Sequence, residues 1–481
     1  MAKRRKTILS AFSIILILIF LLGILSHLLP NASFVGEEIV NGSGTVGAKL
    51  SDILLSPILG FADAVDVSIF ILVLGGFLGI LTKTGALETG IKVLVKKLKG
   101  NELVLIPILM LVFSIGGTTY GMLEETVGFY VLIAACMVAA GMDTLVGSAV
   151  VLLGAGSGVL GSTINPFAVG AAISSLPDGI KVNQGYVIFI GFLLWITTLL
   201  ISIFFVMRYA KKVKEDKGST FLSLREQKNM EKKFKEEIEI EHNKKEEKLT
   251  TRQKITLVLL MFTFIIMIIG FIPWGEFNIT FFDKFTGWLT GSSLGNWWFY
   301  EAALWFLVMT IIIALVNKMK EKDIVDTFID GANDMIGVIL IIAVARGASV
   351  LMQTTYLDNY IIYNASNLLK NLPEFLFVPL NYLLHIVLSI LVPSSSGLAA
   401  LSTPIITPLA TNLGYSSEVA IMTLVSANGL VNLITPTCGA IMGGLALAKV
   451  EYTTWFKWDL KIVITIALVN IIILEFVSLL I

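Results

Sequence analysis

Residues 161–166, Gly-Ser-Thr-Ile-Asn-Pro, interrupt a long apolar stretch, and residues 431–436, Val-Asn-Leu-Ile-Thr-Pro, interrupt another one in the second half of the chain. Proline cannot continue a helix without the loss of a backbone hydrogen bond. At membrane depth, such a break is tolerated only where the backbone is buried in protein or lines a cavity. Matching polar breaks in two halves of a hydrophobic chain therefore predict the binding site of a transporter built from internal repeats.

A second set of matches, between residues 60–91 and 330–361, has the same offset in numbering that relates Pro166 to Pro436. The matches include Ala62, Leu81, Thr84, Leu87 and Ile91 with Ala332, Leu351, Thr354, Leu357 and Ile361, and also Glu88 with Asp358. Each match alone is weak evidence. Their common offset predicts one structural unit that occurs twice in the chain.

The composition is that of a membrane protein. The 481 residues are 56% hydrophobic and have a mean hydropathy of +0.86, which excludes an ordinary soluble protein. Several apolar stretches are long enough to cross a hydrocarbon core of ~30 Å. Cys136 and Cys438 are isolated in apolar segments, so we expect neither a disulfide nor a metal site. The formal net charge is zero, and we expect no nucleic-acid partner.

The basic residues predict how the chain is oriented. Residues 3–6 are Lys-Arg-Arg-Lys and precede an apolar run over 8–30 that is too long for a signal peptide. We therefore expect a retained first helix with its N-terminus in the cytoplasm. Residues 208–254 contain fifteen Lys and Arg and ten acidic residues, which predicts a solvated cytoplasmic linker.

The chain is predicted to be an all-α polytopic membrane protein with nine spans, two re-entrant hairpins, two broken helices and an outside C-terminus. The predicted parts are listed here in chain order. They are a first repeat over 1–207 with a hairpin over 102–140 and a broken helix over 146–172, the charged linker over 208–254, an extra span and outside loop over 255–298, and a second repeat over 299–481 with a hairpin over 375–413 and a broken helix over 419–448. The odd extra span inverts the second repeat in the membrane.

Hairpin tips and helix breaks are expected to converge where a polar solute can bind, because helix N-termini there offer free N–H groups. The hydroxyl and amide candidates for this site are Thr118, Thr119, Asn165, Ser394, Ser395, Ser396, Asn428, Asn432, Thr435 and Thr437. The alternative for any one of them is helix packing, which uses small and hydroxyl residues freely in membranes.

Ionisable residues inside apolar segments are functional candidates by default, because an unpaired charge there is costly. Glu124 and Glu125 follow the predicted tip of the first hairpin, and Arg346 lies deep in a predicted span. We expect them to bind substrate or, as the alternative, to form a structural pair. His385 is a candidate proton carrier. The acidic residues near span ends, including Asp63 and Asp66, are expected to be interfacial helix caps, and Trp274, Trp288, Trp297 and Trp298 to be interface aromatics.

Signals of enzymatic chemistry are weak. Gly156, Gly158 and Gly161 form a Gly-x-Gly-x-x-Gly pattern, but it lies in an apolar helix and not after a strand, so we expect no dinucleotide site. The sequence shows no nucleophile–base constellation and no phosphate-binding loop. We therefore expect a transporter without a cofactor, apart from a coupling ion such as Na⁺ or H⁺.

Five motifs resemble those of the basic amino acid antiporter family, which is related to the anaerobic four-carbon dicarboxylate carriers of the ion transporter superfamily. They are Gly-Gly-Thr-Thr-Tyr-Gly-Met-Leu-Glu-Glu-Thr at 116–126, Ile-Asn-Pro-Phe at 164–167, Ala-Arg-Gly at 345–347, Pro-Ser-Ser-Ser-Gly at 393–397 and Ile-Thr-Pro-Thr at 434–437. The resemblance implies an inner-membrane carrier with a scaffold, a moving transport domain and usually a homodimer. It also implies arginine/ornithine exchange.

Three functions stay open from the sequence. An amino acid exchanger would use Glu124 and Glu125 for the cationic groups of its substrate. A Na⁺- or H⁺-coupled carboxylate or dicarboxylate transporter would need cationic side chains in its site, and Arg346 is the only candidate of that kind among the predicted site residues. A channel-like or purely structural membrane protein is disfavoured by the two inverted hairpins.

Overall fold

A computed structural model describes residues 11–36, 38–98, 101–177, 179–235, 249–272, 274–277, 279–370, 372, 374–392 and 394–481. Three features discussed above lie outside the described residues. They are the basic N-terminal residues 3–6, residues 236–248 of the charged linker, and Pro393 at the tip of the second hairpin.

The described chain is built almost entirely of helices. The first half contains α1 (Ala11–Leu28), α2 (Leu50–Asp63), α3 (Val65–Lys83), α4 (Ala86–Leu98), α5 (Leu105–Tyr120), α6 (Val127–Ala139), α7 (Thr144–Gly161), α8 (Ala171–Ser174) and α9 (Gln184–Glu215). The rest contains α10 (Leu224–Met230), α11 (Thr251–Phe271), α12 (Phe299–Val316), α13 (Glu321–Asn333), α14 (Ile336–Thr354), α15 (Leu357–Leu369), α16 (Glu374–Leu391), α17 (Ser395–Asn412), α18 (Ser417–Val431), α19 (Gly439–Leu447) and α20 (Tyr452–Ser478). An antiparallel two-stranded ribbon, β1 (Phe34–Val35) with β2 (Glu38–Ile39), follows α1.

Eight helical segments of the described chain are long and apolar enough to cross a membrane. They are 65–83, 102–120, 144–174, 184–215, 251–271, 299–316, 321–354 and 452–478. Shorter apolar helices cover 12–28, 376–391 and 417–431. The prediction of an all-helical polytopic membrane protein is therefore confirmed.

The repeat is visible in the order of the helices. The helices α2, α3, α4, α5, α6, α7 and α9 have counterparts in α13, α14, α15, α16, α17, α18 and α20, and each pair is separated by nearly the same interval of sequence. The pairing begins with Leu50 and Glu321 as the first residues of α2 and α13, and it ends with Gln184 and Tyr452 as those of α9 and α20. The offset first seen in sequence fragments thus extends over most of the fold.

The helices pack as two groups, and each group draws on both halves of the chain. Helix group I comprises α1–α4 and α11–α15, in which α2 packs on α14 and α3 packs on α12 and α13. Helix group II comprises α5–α9 and α16–α20, in which α7 packs on α5, α6, α9 and α18, and α18 packs on α16, α17 and α20. The two groups meet chiefly where α14 faces α19 and where α15 faces α16 and α17.

Part of the charged linker is folded against this body. Leu222, Met230 and Phe234 are buried, and the carboxylate of Glu226 is only 1% exposed. The prediction of a solvated linker is wrong for this part, because its spaced apolar residues join the hydrophobic core and Glu226 is buried and hydrogen-bonded to the start of α20. The high charge of residues 208–254 gave no indication that these few apolar residues would be buried.

Glycines allow α2 and α14 to cross in close contact. A Cβ atom on Gly60 would lie 2.3 Å from the carbonyl oxygen of Ala343, and one on Gly347 would lie 2.7 Å from the carbonyl oxygen of Ser56. Helices α13 and α3, the repeat counterparts of α2 and α14, cross in the same way. A Cβ atom on Gly331 of α13 would lie 2.4 Å from the carbonyl oxygen of Gly75 on α3. Small residues permit this approach of two backbones.

We predict that Gly347→Val destabilises the protein, because the added side chain would push α14 away from α2. Overpacking of this kind costs about 1–3 kcal/mol. The matched control is Gly337→Val on the same helix, where no atom lies within 4 Å of an added Cβ. Thermal unfolding of the purified protein should show a clear loss for Gly347→Val only. Equal melting temperatures for the two variants would contradict the tight crossing.

Candidate functional site

A cavity of about 260 Å³ lies where the two helix groups meet. Nine of the thirteen predicted site residues line it, namely Glu124, Glu125, Asn165, Arg346, Ser394, Ser395, Ser396, Asn432 and Thr437. Helix group II contributes the connections α5–α6 and α16–α17, which we call the hairpin tips, and the segments after α7 and α18, which we call the helix breaks. Helix group I contributes the opposite wall from the α2–α3 junction, the start of α12 and the middle of α14, with Asp63, Asp66, Trp298, Phe299, Ile342, Ala345 and Arg346.

The first helix break is held open by Asn165. Helix α7 ends at Gly161, and Ser162 adopts a left-handed backbone conformation with φ of 39°. The Asn165 side chain accepts a hydrogen bond from the Phe167 N–H at 2.9 Å and donates one to Ser162 Oγ at 3.0 Å. Asn165 therefore caps the π-helical turn Pro166–Gly170 and satisfies backbone and side-chain groups that the break leaves unpaired.

The tip of the first hairpin packs directly on this break. Helix α5 ends at Tyr120 and is followed by its C-cap Gly121, whose φ is 79°, and a Cβ atom on Gly121 would lie 2.8 Å from the Asn165 amide. Thr118 Oγ1 accepts a hydrogen bond from the Thr163 N–H and donates one to Thr163 Oγ1, both at 3.1 Å. Thr118 thus joins the tip to the break and does not line the cavity.

Three further predicted residues lie outside the cavity lining. The Thr119 hydroxyl donates to the carbonyl oxygen of Ile115 within its own helix at 2.7 Å. Asn428 lies behind the second tip, where its Oδ1 accepts from Ser395 Oγ at 2.7 Å and from Asn432 Nδ2 at 3.2 Å. Thr435 pairs with Thr437 through hydroxyl groups 2.7 Å apart. These residues support the site from behind, and the sequence alone does not distinguish them from the lining residues.

The second tip and break offer hydroxyl groups and helix N-termini. Ser394 caps α17 by accepting a hydrogen bond from the Gly397 N–H at 3.2 Å. Helix α19, which follows the second break, begins at Gly439 beside Cys438, and both residues line the cavity. Two helices therefore begin at the cavity from this side, and their N-termini favour an anionic group.

Four carboxyl groups and one guanidinium line the cavity. Glu125 is 4% exposed, and its Oε2 accepts a hydrogen bond from the Leu123 N–H at 3.0 Å. Glu124 is partly exposed. Arg346 Nη1 lies 3.8 Å from Asp63 Oδ2.

The ion pair of Arg346 differs from the structural pair with a glutamate that the sequence left as an alternative. Among the described ion pairs, the partner of Arg346 is Asp63 and not Glu124 or Glu125. The reason is the glycine crossing of α2 and α14, which places Asp63, one turn after Gly60, beside Arg346, the neighbour of Gly347. The two glutamates remain on the other wall of the cavity.

Two acidic residues and a tryptophan were missed by sequence reasoning. Asp63 and Asp66 were expected to be interfacial caps, but both line the cavity. Asp66 Oδ2 accepts a hydrogen bond from Trp298 Nε1 at 2.6 Å, so this tryptophan forms part of the site wall as well. The sequence feature that could have placed Asp63 in the site is Gly60, since a small residue one turn before Asp63 allows a close helix crossing there.

His385 lies away from the cavity. Its Nδ1 lies 2.9 Å from the carbonyl oxygen of Asn381, and its Nε2 lies 2.8 Å from Ser402 Oγ. A backbone carbonyl only accepts, so Nδ1 is the donor in the first contact. The second contact links α16 to α17 and joins the two arms of the second hairpin. A proton-carrying role for His385 stays a prediction.

A polar, charged cavity among apolar helices of this length is typical of a membrane transport protein and not of an enzyme. The sequence model of the family described as "DcuC: C4-dicarboxylate anaerobic carrier" matches residues 9–478. The chain therefore belongs to this family of carriers, which agrees with the resemblance seen in the five motifs.

Two relatives are similar to most of the chain. One from Haemophilus influenzae, named "Uncharacterized protein", is 32% identical over 431 residues, which cover 88% of this chain and 78% of the relative. One from Escherichia coli, named "Putative basic amino acid antiporter YfcC", is 26% identical over 408 residues, which cover 82% of this chain and 74% of the relative.

Two solved structures align over nearly the whole chain. The Alcanivorax borkumensis YdaH transporter matches with a TM-score of 0.44 at 14% identity and covers 97% of this chain and 98% of its own. Neisseria gonorrhoeae MtrF matches with a TM-score of 0.44 at 17% identity and covers 98% of this chain and 95% of its own. Both TM-scores are too low to transfer any property to this chain.

We predict that Gly121→Ala destabilises the protein more than Gly141→Ala does. Both glycines have positive φ values, 79° and 84°, so both substitutions carry the same backbone penalty of about 1–2 kcal/mol. Only at Gly121 does an added Cβ collide with Asn165, whereas Gly141 has no atom within 4 Å. Thermal unfolding of the two variants measures the difference. Equal stability would show that the tip does not rest on the helix break.

Proposed function

We propose that this carrier exchanges basic amino acids such as arginine and ornithine across the inner membrane. The observation that carries the proposal is the excess of acidic groups in the cavity, where Asp63, Asp66, Glu124 and Glu125 face a single cation, Arg346. A basic amino acid brings an ammonium and a cationic side chain for these carboxylates. A dicarboxylate would add two more negative charges to the same small space, which is unfavourable.

The two hairpin tips suit the two ends of such a substrate. At the offset that relates Pro166 to Pro436, Glu124 and Glu125 correspond to Ser394 and Ser395, so one tip is acidic and the other carries hydroxyl groups. We assign the acidic tip to the cationic side chain. The hydroxyl tip and the N-terminus of α17 then receive the carboxylate of the substrate, with Arg346 nearby.

The alternative is a Na⁺- or H⁺-coupled carboxylate or dicarboxylate transporter. It is favoured by the description of the matching family as anaerobic C4-dicarboxylate carriers. Arg346 and the hydroxyl groups of Ser394, Ser395 and Ser396 would bind the anion in that case. The basic amino acid function is favoured by the charge of the cavity and by the printed name of the Escherichia coli relative.

The proposed mechanism is an elevator movement of helix group II past helix group I. Support comes from the division of the cavity, since one wall belongs to each group and the helices pack more extensively within each group than between the groups. In this proposal, helix group I is the scaffold and takes part in a homodimer, and α5–α6 and α16–α17 are re-entrant hairpins of two inverted repeats. The repeats are residues 1–207 and 299–481, joined by the linker 208–254 and the extra span with its loop, 255–298.

We predict that Glu124→Gln and Glu125→Gln weaken arginine and ornithine binding by at least about tenfold, or ~1.4 kcal/mol. Each substitution keeps the shape of the side chain and removes a charge that pairs with the substrate. The control is Glu321→Gln, whose side chain is exposed on α13 away from the cavity. Calorimetry on the purified variants, with arginine, ornithine and a four-carbon dicarboxylate as ligands, measures the effect.

The melting temperature of each variant separates recognition from structure. A recognition role lowers affinity and leaves stability nearly unchanged, whereas a structural role lowers stability and leaves the affinity of folded molecules intact. Binding of the dicarboxylate by the unaltered protein, with no binding of arginine or ornithine, would replace the proposed function by its alternative.

The proposed topology has nine crossings, a cytoplasmic N-terminus and an outside C-terminus. We predict that single cysteines at Lys217 and Asn296, introduced after replacement of Cys136 and Cys438 by alanine, react with an impermeant maleimide from opposite sides of the membrane. Both positions are exposed. Labelling of both from the same side would refute the topology, because an odd number of crossings separates them in it.

A further inference from the structure

The folded part of the linker, residues 216–235, is fixed to helix group II, and we call it the strap. Asp143, the N-cap of α7, anchors its first part, because Asp143 Oδ2 accepts hydrogen bonds from the Tyr209 hydroxyl at 2.6 Å and the Thr220 hydroxyl at 2.7 Å. The Phe221 N–H in turn donates to the Tyr209 hydroxyl oxygen at 3.1 Å. The strap therefore begins against α7 and α9.

A buried carboxylate anchors the middle of the strap. Glu226 Oε1 accepts a hydrogen bond from the Glu451 N–H at 2.7 Å, and its Oε2 accepts one from the Thr454 hydroxyl at 3.0 Å. These groups lie at the N-terminus of α20, where a negative charge is favourable. Both anchors of the strap belong to helix group II, so the strap must move wherever that group moves.

The end of the strap faces helix group I across a second cavity of about 630 Å³. Lys233 and Phe234 line this cavity on the strap side, together with residues of α6. Asp330 of α13, the C-cap Asp334 of that helix and Lys83 of α3 line it on the side of helix group I. The cavity therefore separates parts of the two groups that an elevator movement brings past each other.

The strap and α13 carry opposite charges. Asp323, Asp326 and Asp330 of α13 and its C-cap Asp334 follow a spacing of three, four and four residues, which places them on one face of the helix, and all four are exposed. Between residues 225 and 233 the strap carries Arg225, Lys228, Lys232 and Lys233, and the Glu226 carboxylate is already buried in the contact with α20. Glu231 on the strap and Lys83 on α3 oppose this pattern, but the excess charge on each side is complementary.

We propose that the basic end of the strap docks on the acidic face of α13 when helix group II moves, and that this contact is a latch for the alternate conformation of the carrier. The inference rests on the proposed movement of group II but not on the identity of the substrate. The present structure, with its formed 260 Å³ cavity at the hairpin tips, is then the unlatched conformation.

A disulfide test measures the approach of the two surfaces without any substrate. The variant carries Lys233→Cys and Asp334→Cys in full-length protein whose Cys136 and Cys438 are replaced by alanine. Oxidation in proteoliposomes should give the intramolecular disulfide. The control pair is Lys233→Cys with Glu321→Cys, because Glu321 is the first residue of α13 and lies about 20 Å along the helix axis from Asp334. Absence of the first disulfide, or equal formation of both, overturns the proposal.

A charge exchange tests the latch itself. Lys233→Glu should raise the rate at which the native Cys438, which lines the cavity between the hairpin tips, reacts with a maleimide, because the latched conformation loses population. We expect an increase of about two- to fivefold, the range that one exposed ion pair can supply. Adding Asp334→Lys to Lys233→Glu should return the rate to that of the unaltered protein. An unchanged rate in Lys233→Glu, or no return in the double variant, overturns the latch, whereas failure to bind arginine would affect only the proposed substrate.

Discussion

The fold depends on one constraint, which is that every backbone polar group inside a hydrocarbon layer must find a partner within the protein. The chain leaves the helical pattern at the break after α7 and at the break between α18 and α19. Asn165 satisfies the first break with its own amide, and Thr435 and Thr437 line the second with paired hydroxyl groups. Because these breaks need polar surroundings, the hairpin tips pack on them, and a polar cavity forms at the same place.

The same constraint explains how much of the fold was predictable from sequence. A proline after a polar residue in an apolar stretch predicts a helix break, and in the structure α7 ends shortly before Pro166 and α18 shortly before Pro436. Glycines and hydroxyl residues lie between two apolar segments at 116–121 and at 393–397. This pattern predicted two helix pairs, and the structure has helices α5 and α6 and helices α16 and α17 at these places. These are local signals, and local chemistry decides where a helix must end.

The partners of charged side chains were less predictable, because they depend on tertiary packing. Arg346 shares the cavity with Glu124 and Glu125, but its ion pair is with Asp63 on the neighbouring helix. That pairing follows from two glycines in opposite halves of the chain, Gly60 and Gly347, whose contact is not encoded in any local pattern. The strap was missed for a related reason, since its few apolar residues acquire meaning only when helix group II offers a surface for them.

For the proposed function, the repeat also indicates which positions would determine substrate specificity. Repeat-related positions that agree in chemistry build the framework. The crossing of α2 with α14 and the crossing of α3 with α13, for example, both place glycines on both helices. The cavity is built from positions that disagree. Glu124 and Glu125 correspond to Ser394 and Ser395 at the offset that relates Pro166 to Pro436, and Arg346 corresponds to Gly75 when α3 and α14 are aligned at their first residues. A duplicated fold with identical halves would offer a symmetric site, which suits a symmetric ligand. Two unlike tips instead favour a solute with two unlike ends, and a zwitterion with an additional cationic group is such a solute. The charge asymmetry of the cavity therefore arises where repeat-related residues differ in chemistry, although the intervals between repeat-related helices are nearly uniform.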